Sequence, residues 1–141
     1  MSAYLDASVL VPALRPEPST HITSAYFRRV TQTVIVSDLV AAEVSSAMSR
    51  LVRTGTLSQA LGEQSLAAFD VLRATFAERV SVDPADIVRA EIIVRRFDLM
   101  LKAPDAIHIA VAQRLGATLV TLDRRLAASA RALGWPVDIP A

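Results

Sequence analysis

The stretch Ala3-Tyr4-Leu5-Asp6-Ala7-Ser8-Val9-Leu10-Val11 indicates the fold class. Its first three residues form a short apolar run that predicts a buried strand ending at Asp6. The residues from Ala7 to Leu14 then predict a short helix, with Pro12 in or near its first turn. A strand that passes directly into a helix, with an acid at the junction, is typical of an α/β unit.

The alternation of strand and helix continues along the chain. Gly and Pro residues separate the segments, and β-branched runs indicate the strands. Strands separated by helices predict an α/β fold in which a parallel β-sheet is flanked by helices on both faces. In the helix expected over 58–76, we predict that Leu61, Leu66, Phe69 and Leu72 are buried. The further helices are predicted over 20–30, 39–54, 58–76, 84–97, 104–116 and 124–134, and the further strands over 34–36, 80–82, 118–121 and 137–139.

Length and composition restrict the class of protein. The 141 residues are enough for one domain over 1–141. A hydrophobic fraction of 52% and a net charge of +1 exclude a disordered chain. The absence of cysteine excludes a disulfide scaffold and thiol catalysis. No apolar run approaches the roughly 18 residues of a membrane span, and the first six residues lack the basic region of a signal peptide. We therefore expect a cytoplasmic protein that does not enter a membrane.

Four carboxylates stand out because they lie at the end of a strand or in the first part of a helix. Asp6 and Asp123 follow strands, Glu43 lies about one turn into the helix after the second strand, and Asp105 lies in the first turn of the helix that Pro104 opens. Because the carboxyl ends of parallel strands meet at one edge of a sheet, we expect these acids to lie near one another.

Each acid also has a purely structural interpretation. Asp6 and Asp123 could cap the helices that follow them, and Asp105 could complement a helix dipole. Glu43 and Asp105 both adjoin apolar helical stretches, where a charged side chain needs a partner. Taken one at a time, the structural interpretations are favoured, and only the combination of the four acids indicates a site.

Gathered carboxylates repel one another unless a cation lies among them. We expect no lysine to accompany these acids, and no arginine lies within one helical turn of Asp6, Glu43 or Asp105. Carboxylate oxygens select Mg²⁺, with Mn²⁺ as a substitute. Such an ion activates water and stabilises the charge of a phosphate under attack. The four acids therefore favour hydrolysis of phosphodiester bonds.

Several neighbouring side chains are candidates for support. Ser8 could donate a hydrogen bond to Asp6 or to a water, or could cap the first helix, and Thr121 is a second possible support. His108 follows Asp105 by three residues on nearly the same helical face. A metal-binding or general-base role is open for this histidine, but a packed, hydrogen-bonded structural role is favoured.

The arginines next to Asp123 are candidates for contact with RNA. Arg124 and Arg125 adjoin this acid and could hold phosphates. Arginine pairs are more often solvated surface residues, so this interpretation stays open.

Four segments, in order, resemble the motifs of the PIN-domain family. They cover nearly the whole chain, and their wording is most similar to that of the VapC-type toxins of bacterial toxin–antitoxin pairs. The segments are Tyr4-Leu5-Asp6-Ala7-Ser8-Val9-Leu10-Val11, Ser37-Asp38-Leu39-Val40-Ala41-Ala42-Glu43-Val44, Pro104-Asp105-Ala106-Ile107-His108-Ile109-Ala110 and Thr121-Leu122-Asp123-Arg124-Arg125-Leu126.

The resemblance implies a PIN-like fold and a Mg²⁺-dependent endoribonuclease that acts on RNA as a toxin. It implies that Asp6, Glu43, Asp105 and Asp123 form the catalytic, metal-binding cluster. It also implies a homodimer and a cognate antitoxin protein that blocks the site. One departure is Pro104, because an aromatic residue often precedes the third aspartate in such toxins.

Three alternative functions can be compared with the sequence. A receiver-like signalling module also uses a small α/β fold with acids at strand ends, but it needs paired acids after its first strand, and only Asp6 stands there. A phosphatase of the haloacid-dehalogenase type needs a second aspartate where Ser8 stands. A PIN fold that acts only as a regulatory or binding module is the other alternative, although its intact set of acids argues against it.

Overall fold

A computed structural model describes residues 1–141 and shows one parallel sheet of five strands. In space the strands are ordered β3-β2-β1-β4-β5, so β1 lies at the centre. The predicted α/β class with an all-parallel sheet is confirmed. The strands are β1 (Ala3–Leu5), β2 (Val34–Ser37), β3 (Ala77–Val80), β4 (Thr118–Val120) and β5 (Val137–Asp138).

Seven α-helices and one 3₁₀ turn connect these strands. The helices cover both faces of the sheet, because successive residues of β1, whose side chains point to opposite faces, are all buried. The helices are α1 (Ala7–Leu14), α2 (Thr20–Arg29), α3 (Asp38–Arg53), α4 (Gln59–Phe76), α5 (Pro84–Val94), α6 (Ala103–Leu115) and α7 (Arg124–Ala132), and the 3₁₀ turn is Phe97–Leu99.

The third strand lies three residues earlier than the sequence predicts. We expected a strand over 80–82, whereas β3 follows α4 without a break and pairs Ala77 with Val34 and Val80 with Ser37. Glu78 and Arg79 are exposed because β3 is an edge strand. Two consecutive charged residues do not give the apolar run that identifies a buried strand, so the prediction was wrong here.

The fifth helix is shorter than predicted. It ends at Val94 instead of reaching Phe97, and Phe97–Leu99 forms a 3₁₀ turn. Met100, which closes this turn, has a φ of 52°, a left-handed conformation that an α-helix cannot contain. The chain therefore leaves the helix before α6 begins at Ala103.

The core consists of aliphatic side chains from the central strands and from the helix faces that cover them. Phe69 of α4 is buried as predicted, and Leu66 and Leu72 are partly buried. Leu61 is 50% exposed, so its predicted burial was wrong. The face of α4 that packs inward there carries the small residue Gly62, whose position lies against the Val52 side chain.

No helix is both long enough and apolar enough to cross a membrane.

Candidate active site

The central strands bring residues from distant parts of the chain to one edge of the sheet. β2, β1 and β4 are neighbours, and all run in the same direction. Asp6 follows β1, α3 with Glu43 follows β2, and Asp123 lies just beyond β4. The carboxyl ends of these three strands therefore lie at the same edge of the sheet, as the sequence predicted.

Asp6 is held by two hydroxyl groups rather than by a helix. It occupies the N-cap position of α1, but its side chain makes no capping hydrogen bond. Ser8 Oγ donates to Oδ1 at 2.5 Å, and Thr121 Oγ1 donates to Oδ2 at 2.9 Å. The carboxylate is only 7% exposed. Burial raises the pKa of Asp6, the two hydroxyl hydrogen bonds act against this, and the charge of Asp123 raises it further.

The two supporting hydroxyls also bind the loop that carries Asp123. Ser8 Oγ accepts a hydrogen bond from the Leu122 amide at 2.8 Å. Thr121 Oγ1 accepts one from the Asp123 amide at 2.9 Å. These contacts join the end of β1 to the turn after β4, so they fix the two acids relative to each other.

Asp123 is a helix cap and a neighbour of the other acids at the same time. Its Oδ1 accepts hydrogen bonds from the amides of Arg125 and Leu126, at 2.9 and 3.1 Å. Its charge also raises the pKa of Asp6 and of Asp105. The cap interpretation is therefore correct for Asp123, and it does not separate this residue from the site.

Glu43 has a buried partner. His108 Nε2 is hydrogen-bonded to Oε1 of Glu43, and the histidine is 2% exposed. Its other ring nitrogen, Nδ1, lies 2.8 Å from the hydroxyl of Tyr4 in β1. The favoured structural interpretation of His108 agrees with these contacts, although its partner is one of the candidate acids. The partner that the apolar surroundings of Glu43 require is thus this histidine.

Asp105 lies half-buried in the first turn of α6. Burial raises its pKa, and the charges of Asp123 and Glu43 raise it further, whereas His108 and Lys102 act in the opposite direction. Lys102, three residues earlier, is therefore a basic neighbour of Asp105, so the expectation that no lysine accompanies the acids is wrong here. No hydrogen bond contributes to the pKa of this carboxylate.

The charge of Asp123 acts on the pKa of Asp6, and the charges of Asp123 and Glu43 act on that of Asp105, but the four acids are not gathered around a single point. No group of three or more carboxylate or imidazole side chains is arranged to hold one metal ion. Asp6, Glu43 and Asp123 are each turned toward hydrogen-bond donors of their own. Since like charges repel, such separate partners are the expected arrangement of these carboxylates without a cation.

A shallow cleft of about 380 Å³ opens beside Asp123. Its lining includes Ser8, Leu122 and Arg50 of α3. Arg50 was missed in the sequence analysis, although it follows Glu43 by seven residues and therefore falls on the same face of the helix. Arg124 and Arg125 are exposed at the start of α7.

A larger cleft of about 590 Å³ lies between α5, α6 and the Trp135 segment. Its charged groups already have partners: Arg114 Nε donates to Asp86 Oδ1 at 2.9 Å, and Arg89 Nε donates to Gln113 at 2.9 Å. These contacts hold α5 against α6. The groups beside the acids therefore remain the better candidates for chemistry.

The family model described as "PIN domain" matches residues 3–132 of this chain. The chain belongs to the PIN-domain family. The match spans all four acids and confirms the family that the sequence motifs indicate.

Relatives and solved structures agree with this membership. Ribonuclease VapC46 of Mycobacterium tuberculosis is 33% identical over 140 residues, which cover 97% of this chain and 96% of the relative. The fold is similar to that of the Sarcin-Ricin loop cleaving toxin VapC20 of the same organism, with a TM-score of 0.73, 17% identity and coverage of 91% and 95% of the two chains. It is also similar to VapBC2 from Rickettsia felis bound to a DNA fragment from its promoter, with a TM-score of 0.74, 16% identity and full coverage of both chains. This PIN-domain protein is thus of the VapC type.

Proposed function

We propose that this PIN-domain protein is a divalent-metal-dependent endoribonuclease and the toxin of a toxin–antitoxin pair. Its relative over nearly the full chain is named a ribonuclease. The observation that carries the proposal is the position of Asp6 and Asp105 at one sheet edge, where burial, with the charge of Asp123 adding to it, raises the pKa of both acids. Raised pKa values of neighbouring acids are typical of functional sites.

The donor set fits a hard divalent cation. Asp6, Glu43, Asp105 and Asp123 offer carboxylate oxygens, which Mg²⁺ and Mn²⁺ prefer. We propose that these four residues hold Mg²⁺, with Mn²⁺ as a substitute. A cation bound there would supply positive charge to the scissile phosphate and activate water for attack. Asp105 is the most readily available ligand, since no hydrogen bond contributes to its pKa.

The surrounding residues have distinct tasks in this proposal. Ser8 and Thr121 hold the Asp6 carboxylate in one orientation through their hydrogen bonds. Arg124 and Arg125 are exposed next to Asp123, so their guanidinium groups are free to contact phosphates of the RNA.

The proposed partners are an antitoxin protein and a second copy of the chain. Structures similar in fold include VapBC2 of Rickettsia felis and a toxin–antitoxin complex from Klebsiella pneumoniae, the latter with a TM-score of 0.63. We propose that the antitoxin covers the acidic edge with a basic side chain, which would offset the repulsion among the carboxylates. The homodimer and the cytoplasmic location are further parts of the proposal.

A cleavage assay tests the nuclease function. The purified protein is incubated with a structured RNA pool in Mg²⁺, in Mn²⁺ and in EDTA. We expect cleavage with either metal and none in EDTA, and we expect Glu43→Gln to be inactive. Cleavage that continued unchanged after full removal of metal would overturn the metal-dependent mechanism.

Co-expression tests the toxin function separately. We expect growth arrest when the chain is expressed alone, and recovery when it is expressed with the product of a short reading frame immediately upstream of its gene. A chain that neither arrests growth nor binds that product would count against the toxin proposal. A purely regulatory module would give no cleavage under any of these metal conditions.

A further inference from the structure

A continuous chain of hydrogen bonds runs from the N-terminus of α3 through the sheet to Glu43. The Tyr4 hydroxyl lies 2.7 Å from Ser37 Oγ and 2.8 Å from His108 Nδ1, and His108 Nε2 contacts Glu43. Tyr4, Ser37 and His108 are 0%, 0% and 2% exposed. These hydrogen bonds thus link β1, the end of β2, α6 and α3, and they are shielded from solvent as far as the Glu43 carboxylate.

The donor and the acceptor of each hydrogen bond in this series follow from the chemistry of the groups. An ionised carboxylate only accepts hydrogen bonds, so His108 Nε2 donates to Glu43. In the neutral form of His108, which has one donor nitrogen, Nδ1 then accepts from the Tyr4 hydroxyl. The Tyr4 oxygen in turn accepts from Ser37, whose own oxygen accepts from the Val40 amide at 3.2 Å. Every polar group in this series of hydrogen bonds then has a hydrogen-bond partner.

The properties of Tyr4 agree with its role as a donor. Burial raises the pKa of Tyr4 well above its ordinary value, with the Ser37 hydrogen bond acting in the opposite direction. The hydroxyl therefore keeps its proton throughout the physiological range. A tyrosine oxygen that always carries a proton can fix the tautomer of a histidine next to it.

We propose that His108 is a positioning residue that aims the Glu43 carboxylate, and that Tyr4 fixes the orientation and tautomer of His108. This inference rests on the proposed metal-dependent function, in which Glu43 holds the cation. Glu43 is on a helix surface and one-third exposed, so its side chain would otherwise adopt several rotamers. A buried donor reduces that freedom before a cation binds. Groups that orient a metal-binding side chain in this way are commonly needed for full affinity.

Metal binding provides a readout that does not depend on catalysis. The affinity of the purified, metal-free protein for Mn²⁺ is measured by titration calorimetry, and the rise in Tm caused by Mn²⁺ is measured on the same samples. We expect Tyr4→Phe to weaken Mn²⁺ affinity about 10-fold, within the roughly 10- to 100-fold range for loss of such orienting partners. We expect His108→Leu to weaken it at least as much. His108→Gln, which can place an amide donor near the position of Nε2, should recover part of the loss.

The chain offers a matched control for the tyrosine substitution. Tyr26 of α2 is 3% exposed, and its hydroxyl has no hydrogen-bond partner. Tyr26→Phe therefore removes the same atom from an equally buried ring that has no link to Glu43. We expect this variant to bind Mn²⁺ like the wild type, with an equal rise in Tm.

The outcomes separate this inference from the function on which it rests. If the wild type binds Mn²⁺ and Tyr4→Phe, His108→Leu and Tyr26→Phe all bind equally well, the positioning role is overturned while the metal site stands. If Tyr4→Phe lowers the metal-free Tm but keeps the full Mn²⁺ affinity, the hydrogen-bond chain is only structural, which also overturns it. If the wild type binds no divalent metal, the proposed function fails and the inference fails with it. Should His108→Leu not fold, Tyr4→Phe decides.

Discussion

The Thr121 hydroxyl donates a 2.9 Å hydrogen bond to Oδ2 of Asp6, although the two residues are 115 positions apart in the chain. The same hydroxyl oxygen accepts from the Asp123 amide. One buried side chain thus sets the position of two candidate metal-binding acids. Substitutions at this position affect stability and chemistry together, and both effects can be measured.

Thr121→Val keeps the shape of the side chain and removes the hydroxyl. It leaves the Asp123 amide and one oxygen of Asp6 without a partner, so we expect a loss of about 1–3 kcal/mol in the free energy of unfolding. Urea denaturation and the RNA cleavage assay measure the two effects. Thr23→Val is the control, since Thr23 is equally buried but its hydroxyl donates only to the Thr20 carbonyl. A control that lost as much cleavage activity as Thr121→Val would show that the site effect is not specific.

Asp123→Asn tests the two roles of this residue. Asparagine caps a helix about as well as aspartate, so the capping change should stay within about 0.5 kcal/mol. Loss of charge removes a helix-dipole contribution of about 0.3–1 kcal/mol but also relieves repulsion on Asp6 and Asp105. We therefore expect the Tm in EDTA to be unchanged or higher, a smaller rise with Mg²⁺, and no cleavage.

Asp70→Asn, at an exposed position of α4, is the control for Asp123→Asn, and it should keep the full Mg²⁺ response. If Asp123→Asn melts lower in EDTA and gains as much from Mg²⁺ as the wild type, Asp123 is only a cap.

The pH dependence of stability follows from the raised pKa of Asp6 and Asp105. An acid whose folded pKa is raised binds its proton more tightly in the native state, so stability is full below the unfolded pKa of about 3.9. This contribution to stability is lost as pH rises from the unfolded pKa through the folded pKa. We expect urea denaturation in EDTA to show this loss, and Asp105→Asn to reduce it.

Asp98→Asn provides the opposite case for the pH measurement. Its hydrogen bond from Arg96 lowers the pKa of Asp98, so this residue cannot contribute to a loss of stability with rising pH. We expect the declining part of the wild-type profile to persist in this variant. A profile for the metal-free wild type that rises steadily from pH 4 to 7 would contradict the proposed repulsion among the acids.

Glu43→Gln should affect activity far more than folding. Glutamine keeps an oxygen that can accept from His108 Nε2, and it removes only the negative charge. We expect the free energy of unfolding in EDTA to change by less than about 0.5 kcal/mol, as for substitutions that disturb no packing, while cleavage is lost. Normal metal-dependent turnover by this variant would assign Glu43 a structural role.

Arg124→Ala and Arg125→Ala test the proposed contact with RNA phosphates. Log affinity falls as log salt concentration rises. Each lost contact should make this slope less steep by about 0.7 for a single strand. Fluorescence anisotropy with labelled RNA at several salt concentrations measures this slope, with the metal omitted to prevent cleavage. Arg131→Ala, in the last turn of the same helix, changes the net charge equally and should leave the slope unchanged.

Much of this fold could be predicted because its central strands are buried on both faces. The apolar runs in β1, β2 and β4 and the Gly and Pro residues between them are visible in the sequence. β3 was misplaced because an edge strand with Glu78 and Arg79 exposed has no such run. The end of α5 was misplaced because the chain leaves the helical conformation at Arg96, whose ψ is 82°, without a glycine or proline to mark the break.

The positions of the four acids in the fold could be predicted for a physical reason, whereas their partners could not. Each acid lies at the end of a strand or in the first part of a helix, which is a local feature of sequence. The contact between Tyr4 and His108 joins residues 104 positions apart, and Tyr4 looks like any other core aromatic in its strand. Only the packing of α6 against β1 and α3 brings the Tyr4 hydroxyl, the His108 imidazole and the Glu43 carboxylate within hydrogen-bond distance of one another in series.

The central place of β1 has a consequence for the order of events during synthesis. β1 is the first strand to leave the ribosome, yet one of its two neighbours, β4, begins only at Thr118. Asp6 therefore cannot contact Thr121 or lie near Asp123 until most of the chain has been translated. Under the proposed nuclease function, we expect a nascent chain not to cleave RNA until residue 123 has left the ribosome. The delay is built into the strand order and requires no inhibitor.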